Sequence, residues 1–473
     1  LPCERGIGMS LQFRNTLGGA TTPFEPIEPG RVRMYSCGPT VYAPAHVGNF
    51  RAFIFADLVH RTLLFSGYDV TWVMNITDVD DKIIRDACAV GEDIADFTAR
   101  FTQAFLDDLA TLNIDQPDIM PRATDHIDEM VALIETLLQK GHAYRADDGS
   151  VFFRIGSWPS YGKLANIDPE QQRSGERVVA DEYDKESVRD FALWKAAKPG
   201  EPSWSTSIGE GRPGWHIECS AMSMRYLGES FDIHTGGVDL VFPHHEDEIA
   251  QSEAATGQPF VHTWLHNAHL QMGGAKMAKS TGNIARPADL YEAGVSPRAL
   301  RYALLATHYR SPLEFSDHSL ESAAAAVERI NTAVVALEAY AEERPDDDTL
   351  PQLLTDARAA FAAGLADDLN ISEALAATFD LVRELNSRVA ARSLSTADAQ
   401  RGAAAIRELD SVLGVLDDTT DAELAPELVK MLEARVQARA DRDWARSDEL
   451  RDALAEAGVA VEDTPDGQRW RKA

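Results

Sequence analysis

Met34-Tyr35-Ser36-Cys37-Gly38-Pro39-Thr40-Val41-Tyr42-Ala43-Pro44-Ala45-His46-Val47-Gly48-Asn49-Phe50 decides the fold class. Val32 and Met34 belong to a short apolar run that reads as the end of a buried strand. A Cys-Gly-Pro turn follows, and then Phe50, Phe53, Ile54, Ala56, Leu58 and Val59 recur at three- and four-residue spacing, the pattern of a helix. Strand, tight turn and helix N-terminus together form a place where an α/β protein holds phosphate, because unpaired N–H groups and the helix dipole point at the ligand. Gly48 would let a flat base or a phosphate come close to the backbone.

Working outward, Val70-Thr-Trp-Val-Met-Asn-Ile76 is apolar enough for a parallel strand buried on both faces. It runs into Thr77-Asp-Val-Asp-Asp-Lys82, polar residues at the carboxyl end of a strand, where open α/β sheets bind ligands. Asp80 and Asp81 also suit a helix cap. Ala123–Gly141 reads as an amphipathic helix stopped by glycine, and Cys88 as a packed helix residue. From about 143 to 213 short strand-like pieces alternate with Gly, Pro and charged turns, which marks a module inserted between two halves of one nucleotide fold.

The α/β pattern resumes at Trp215. Phe231–His234 reads as a strand followed by a glycine turn, Thr235–Asp239, whose acid suits a ribose hydroxyl. A helix is expected from about His245, a strand within Phe260–Leu270, and a glycine-flanked loop carrying Lys276-Met-Ala-Lys-Ser280. Beyond Val295 the chain turns helical: Ser296-Pro297 caps one helix, and Ala/Leu-rich amphipathic stretches follow to Leu416. The last piece, 426–470, reads as two short helices with a break at Gly458.

A formal charge of −31, from 76 acidic against 45 Lys and Arg residues, argues against a protein that coats nucleic acid unspecifically. Any RNA partner must meet local basic patches. No apolar run reaches the length of a membrane span, and no signal-peptide pattern opens the chain. Four cysteines are too few for a disulfide scaffold and suggest reduced thiols, hence a cytoplasmic protein.

Cys37, Cys219, His244 and Glu248 suit one metal ion. His244 and Glu248 are four residues apart near a helix start, so both can face one point, and thiolate, imidazole and carboxylate are all zinc ligands. His245 could take the place of His244 on spacing alone.

His46-Val-Gly-Asn49 and Lys276-Met-Ala-Lys-Ser280 together resemble the paired signatures of class I aminoacyl-tRNA synthetases. Cys37–Tyr42, Asn75–Ile83, Gly214–Met222 and His234–Ser252 narrow the resemblance to the cysteinyl-tRNA synthetase family, from about Arg31 to Arg471. Ala278 departs from the serine usual in that loop, with a modest effect expected. The resemblance implies a Rossmann-like catalytic domain in two halves, 24–127 and 214–290, around an inserted module at 128–213. A stem-contact region at 291–325, a helical bundle at 326–424 and an anticodon-binding domain at 425–473 would follow. It implies one zinc ion on Cys37, Cys219, His244 and Glu248, and ATP with Mg²⁺ held by His46, Gly48, Asn49, Asp239, Lys276 and Lys279. Thr77 and Trp215 would lie beside the substrate. The implied partners are L-cysteine, ATP and tRNA(Cys), with the chain as a monomer. Arginines between Arg435 and Arg451, with Trp470, would suit phosphates and unstacked bases. The rival reading is the ligase that joins cysteine to a glucosaminyl-inositol, which resembles the synthetase without the last domain.

Overall fold

The computed structural model describes residues 10–167, 190–277, 284–416, 426–457, 459–464 and 467–472. The chain divides into two compact units, 1–416 and 417–473.

The first unit opens with a hairpin, β1 (Gln12–Asn15) and β2 (Ala20–Pro23). β3 (Arg31–Ser36) leads through the Cys-Gly-Pro turn into α1 (Val47–Phe65), which returns to β4 (Asp69–Met74). α2 (Asp81–Val90) and α3 (Ile94–Thr111) follow; Asp80 caps α2, its side chain accepting from Lys82 N at 2.8 Å. Cys88 is exposed rather than packed, because Ile83, Ile84 and Ala87 form the buried stripe of α2. α4 (Ile127–Lys140) ends at Gly141, whose φ of 79° suits a residue without Cβ.

The inserted module is an antiparallel sheet ordered β5-β6-β7-β9-β8, from β5 (Ala143–Arg145), β6 (Val151–Phe153), β7 (Phe191–Ala196), β8 (Trp204–Thr206) and β9 (Gly209–Pro213). It is tied to α2 by charge: Lys195 Nζ lies 2.7 Å and an Arg212 guanidinium nitrogen 2.5 Å from the Asp81 carboxylate. α5 (Trp215–Leu227), β10 (Phe231–Gly237), α6 (Glu246–Thr256) and β11 (Val261–Asn267) complete the nucleotide fold.

β11, β10, β3 and β4 lie side by side in that order, all parallel. The chain winds outward from β3 to β4 in one direction and from β10 to β11 in the other. The strand order therefore reverses between β3 and β10, and ligands of open parallel sheets bind in the crevice at such a switch point. The strands are buried on both faces, as Met34, Trp72 and Ile233 on one side and Tyr35, Val73 and His234 on the other show. One boundary departs from the sequence reading: Thr235, Gly236 and Gly237 continue β10 instead of turning, with Gly236 paired to His266 and Gly237 to Asn267.

After β12 (Leu270–Met272) and β13 (Ala275–Lys276) come α7 (Pro287–Glu292), α8 (Pro297–Leu305) and β14 (Leu313–Glu314). α9 (Asp317–Glu338), α10 (Leu350–Ala366), α11 (Ile371–Ala390) and α12 (Thr396–Leu413) form a helical bundle whose apolar faces share one core with α1 and α8. A buried charge cluster fastens α12 to α1 and α8. Arg301 donates to Leu413 O at 2.6 Å, Asn113 O at 2.8 Å and Asp57 Oδ2 at 2.5 Å.

The second unit pairs α13 (Pro426–Ala440) with α14 (Trp444–Glu456), then adds a hairpin of β15 (Val459–Thr464) and β16 (Gly467–Lys472). The sequence reading missed that hairpin, although Pro-Asp-Gly at 465–467 is turn chemistry. Arg435 is buried in this unit and donates to Gln468 Oε1 at 2.6 Å, so it belongs to the fold rather than to a phosphate-facing surface.

Candidate active site and metal centre

α1 starts at the carboxyl end of β3, so its N-terminus opens on the crevice. His46 is its N-cap, and the His46 N–H donates to Asn49 Oδ1 at 3.0 Å, which fixes the first turn. A Cβ on Gly48 would lie 3.0 Å from the His46 ring and 3.7 Å from Met277 Cβ. The missing side chain thus makes room for the chain's own histidine. Val47 N donates to Ala285 O at 2.8 Å, and Met277 is buried in the core that holds α1. Both ends of the segment between them are therefore fastened at the start of this helix. Ala278, Lys279 and Ser280 lie outside the described residues, as does the Lys276 side chain, whose backbone is in β13.

Asp239 follows β10 and is half exposed, with His269 Nδ1 3.9 Å from Oδ1. Thr77 sits past the end of β4. Its hydroxyl donates to Glu218 Oε2 at 3.0 Å and accepts from Asn75 Nδ2 at 3.1 Å. Asn75 Oδ1 in turn accepts from Gly38 N at 2.9 Å, joining the two strand ends. Trp215, at the first position of α5, stacks on His244 with ring centroids 4.2 Å apart.

The fold brings Cys37, Cys219, His244 and Glu248 together, although Cys37 follows β3, Cys219 is in α5, His244 precedes α6 and Glu248 is in its first turn. Cys37 Sγ is 3.9 Å from Cys219 Sγ and 3.8 Å from Glu248 Oε1, and His244 Nε2 is 3.0 Å from that same oxygen. A zinc ion with bonds of about 2.0–2.3 Å needs tetrahedral donors roughly 3.3–3.8 Å apart, so these spacings and this donor chemistry fit the metal.

Sequence reasoning missed His216 and His234 beside this group, and weighed His245 only as a replacement for His244. His216 Nδ1 meets His244 Nδ1 at 2.9 Å, and His216 Nε2 lies 3.4 Å from Asp247, which accepts from Tyr161 at 2.5 Å. His245 Nε2 is 3.3 Å from Cys37 Sγ, and His234 Nε2 is 3.1 Å from Glu248 Oε2. A signal was present: seven of the thirteen histidines fall between 216 and 269.

The electrostatics follow from burial against pairing. Burial alone would raise Glu248, but His234 and His244 pull its pKa down to about 2. Burial disfavours a charged His244, yet Glu248 and Cys219 overcome that and lift it to about 10. The hydrogen bond from Cys37 lowers Cys219 to about 6, while burial and the same contact raise Cys37. Burial pushes His216 and His245 well below the ordinary range and His266 to about 3. The site thus offers thiol, carboxylate and imidazole donors in a water-poor crevice, with His216, His245 and His266 held neutral and His244 charged against Glu248 until a metal takes the place of its proton, a donor set suited to a soft divalent cation.

Residues 23–325 match a family described as tRNA synthetases class I (C) catalytic domain. Residues 360–417 match a DALR domain and 421–471 a cysteinyl-tRNA ligase anticodon binding domain. The cysteine–tRNA ligase of Alkalilimnicola ehrlichii is 47% identical over 98% of this chain and 100% of that protein. That of Symbiobacterium thermophilum is 46% identical with the same coverage. Among solved structures, Mycobacterium tuberculosis methionyl-tRNA synthetase bound by methionyl-adenylate has a TM-score of 0.60 at 17% identity, covering 88% of this chain and 96% of that one. That likeness speaks to the fold.

Proposed function

The chain belongs to the cysteinyl-tRNA synthetases, class I aminoacyl-tRNA ligases, and from that premise we propose that it selects L-cysteine through zinc held by Cys37, Cys219, His244 and Glu248. The observation that supports this most is the meeting of those four donors at the switch point, beside the N-terminus of α1. Bound there, zinc supplies a position that prefers a thiolate to a hydroxyl, a distinction that apolar contacts alone make poorly.

Trp215 flanks His244 and closes one side of the space next to these donors. Thr77, tied to Glu218 and Asn75, would set a fixed polar group beside the substrate. With the amino acid so placed, its carboxylate oxygen attacks the α-phosphorus of ATP. The bond to the bridging oxygen breaks, pyrophosphate leaves with Mg²⁺, and cysteinyl-adenylate forms. His46, Asn49 and the N-terminus of α1 hold phosphate oxygens, Gly48 keeps that approach clear, and Asp239 accepts from a ribose hydroxyl. Lys276 and Lys279 balance charge on the leaving pyrophosphate, so catalysis here is positioning and charge stabilisation. The terminal hydroxyl of tRNA(Cys) then attacks the adenylate carbonyl, releasing AMP. The match of residues 421–471 to an anticodon-binding domain favours tRNA over an amino sugar as acceptor.

The test is cysteine- against serine-dependent ATP–pyrophosphate exchange on protein of measured zinc content, followed by transfer to tRNA and to glucosaminyl-inositol. Stoichiometric zinc, activation of cysteine only and transfer to tRNA are expected. Equal activation of serine, or full activity without zinc, would overturn the reading.

A further inference from the structure

We propose that the same buried cluster holds a second cation position overlapping the first, formed by Cys37, His234, His245 and Glu248. This rests on the reading that Cys37, Cys219, His244 and Glu248 bind zinc, and extends it. One tetrahedral ion needs four donors; the crevice supplies more. The donor atoms of the second set also lie within 4.8 Å of one another.

The orientation of each ring carries the argument. His245 directs Nδ1 away from the cluster to His266 Nε2 at 2.7 Å, and His266 Nδ1 in turn meets Thr16 Oγ1 at 2.7 Å. That chain of contacts leaves His245 Nε2 aimed at Cys37 Sγ, 3.3 Å away. A ligating imidazole braced through its other nitrogen has this arrangement. His234 faces two acceptors, Thr235 O at 3.2 Å from Nδ1 and Glu248 Oε2 at 3.1 Å from Nε2. His234 Nε2 thus lies on the carboxylate oxygen that His244 does not face, within reach of the same crevice.

Glu248 turns Oε1 toward His244 at 3.0 Å and His245 at 4.0 Å, and Oε2 toward His234. Carboxylates bridge paired ions about 3.5–4 Å apart in two-metal sites. Gly236 adds an independent observation. Its φ is not positive, so the backbone does not demand glycine there, yet a Cβ would stand 2.6 Å from His245 Cε1 and 3.2 Å from Nε2. The space is kept for that ring. With nitrogen, sulfur and carboxylate donors the position takes zinc or cobalt rather than magnesium. Both positions draw on Cys37 and Glu248, so the second fills only once metal exceeds one equivalent.

Metal-free full-length protein titrated with Co²⁺, followed by thiolate-to-cobalt absorption and by bound metal after gel filtration, tests this. The Cys219→Ala/His244→Ala variant lacks half of the first position. It is expected to retain one equivalent with the absorption of a single thiolate, and to lose it on adding His245→Ala. Wild type is expected to take a second, weaker equivalent that disappears in Gly236→Ala. If the double variant, folded by circular dichroism, binds no cobalt while wild type binds one equivalent, this proposal falls and the first site stands. If the double variant does not fold, the Gly236→Ala comparison decides. Wild type binding no metal would remove both.

Discussion

Replacing Arg301 by methionine should loosen the joint between the bundle and the catalytic core. The side chain is fully buried and reaches Leu413 O, Leu112 O, Asn113 O and Asp57. Methionine keeps apolar volume in place but removes every donor. Breaking a buried pair destabilises by about 3–5 kcal/mol. Asp57 retains Arg61 Nε at 2.9 Å and Asp115 N at 2.9 Å, so the lower half of that range applies, about 3–4 kcal/mol. Unfolding entropy is about 2.1 cal/mol/K per residue, or roughly 0.9 kcal/mol/K for the unit 1–416. The expected fall in Tm is therefore about 3–5 °C by calorimetry. Arg358→Ala is the control: that arginine pairs with Glu408 at 2.6 Å in solvent, worth under about 1 kcal/mol and about 1 °C. A Tm for Arg301→Met no lower than that of Arg358→Ala would refute this account of the joint.

Asp410 is pushed to about 6 by burial, against hydrogen bonds from Val415 N and Leu416 N and the pull of Arg301 and Arg61. Its folded pKa is raised, so the folded chain holds a proton the unfolded chain has lost between pH ~4 and ~6, and stability falls as pH rises through that window. Asp410→Asn keeps the acceptor and removes the charge. It should stabilise the fold at pH 7.5 and not at pH 4.5, by at most about 3 kcal/mol, read as a rise in Tm; equal gains at both values would contradict it. Thr77→Val strands Glu218 and Asn75 without their partner, a loss of about 1–3 kcal/mol. The expected result is a KM for cysteine raised roughly 5- to 150-fold, with zinc content unchanged; an unaltered KM would remove Thr77 from the substrate site. Trp444 is 56% exposed with Arg439 5.8 Å from its ring. If a tRNA base stacks there, Trp444→Ala should weaken aminoacylation by about 1–3 kcal/mol in KM for tRNA and leave pyrophosphate exchange alone. A loss in both reactions would speak for a folding defect instead.

Much of this architecture was legible because its signals are local. Trp72-Val73-Met74 is apolar without alternation, as a strand buried on both faces must be, and α1 announces itself through Phe50, Phe53 and Ile54. Ser296-Pro297 and Gly141 bound their helices by capping chemistry that acts within a few residues. What escaped depends on distance in sequence. Gly236 reads as a turn because nothing nearby reveals that His245, nine positions on, needs the space of its Cβ. Arg435 reads as a surface cation because its partner, Gln468, lies 33 residues away. The same holds in the site: the i, i+4 pair of His244 and Glu248 is visible in one helix turn, but the contact of His266 with His245 exists only because β11 pairs with β10.

The placement of the donors explains why so many imidazoles accompany them. The crevice at the switch point opens at the start of α1, and its floor lies under Trp264 and between α5 and α6, away from water. Thiolate and carboxylate cannot be charged on such a floor without donors around them. Lysines there would pair with the anions and close off the metal-facing lone pairs. Imidazoles do neither: His216 turns Nε2 toward Asp247 and Nδ1 toward His244, and His266 turns Nδ1 toward Thr16 and Nε2 toward His245. The cluster therefore holds its donors in place through contacts within the protein, the preorganisation on which the proposed selection of cysteine by its thiol would draw.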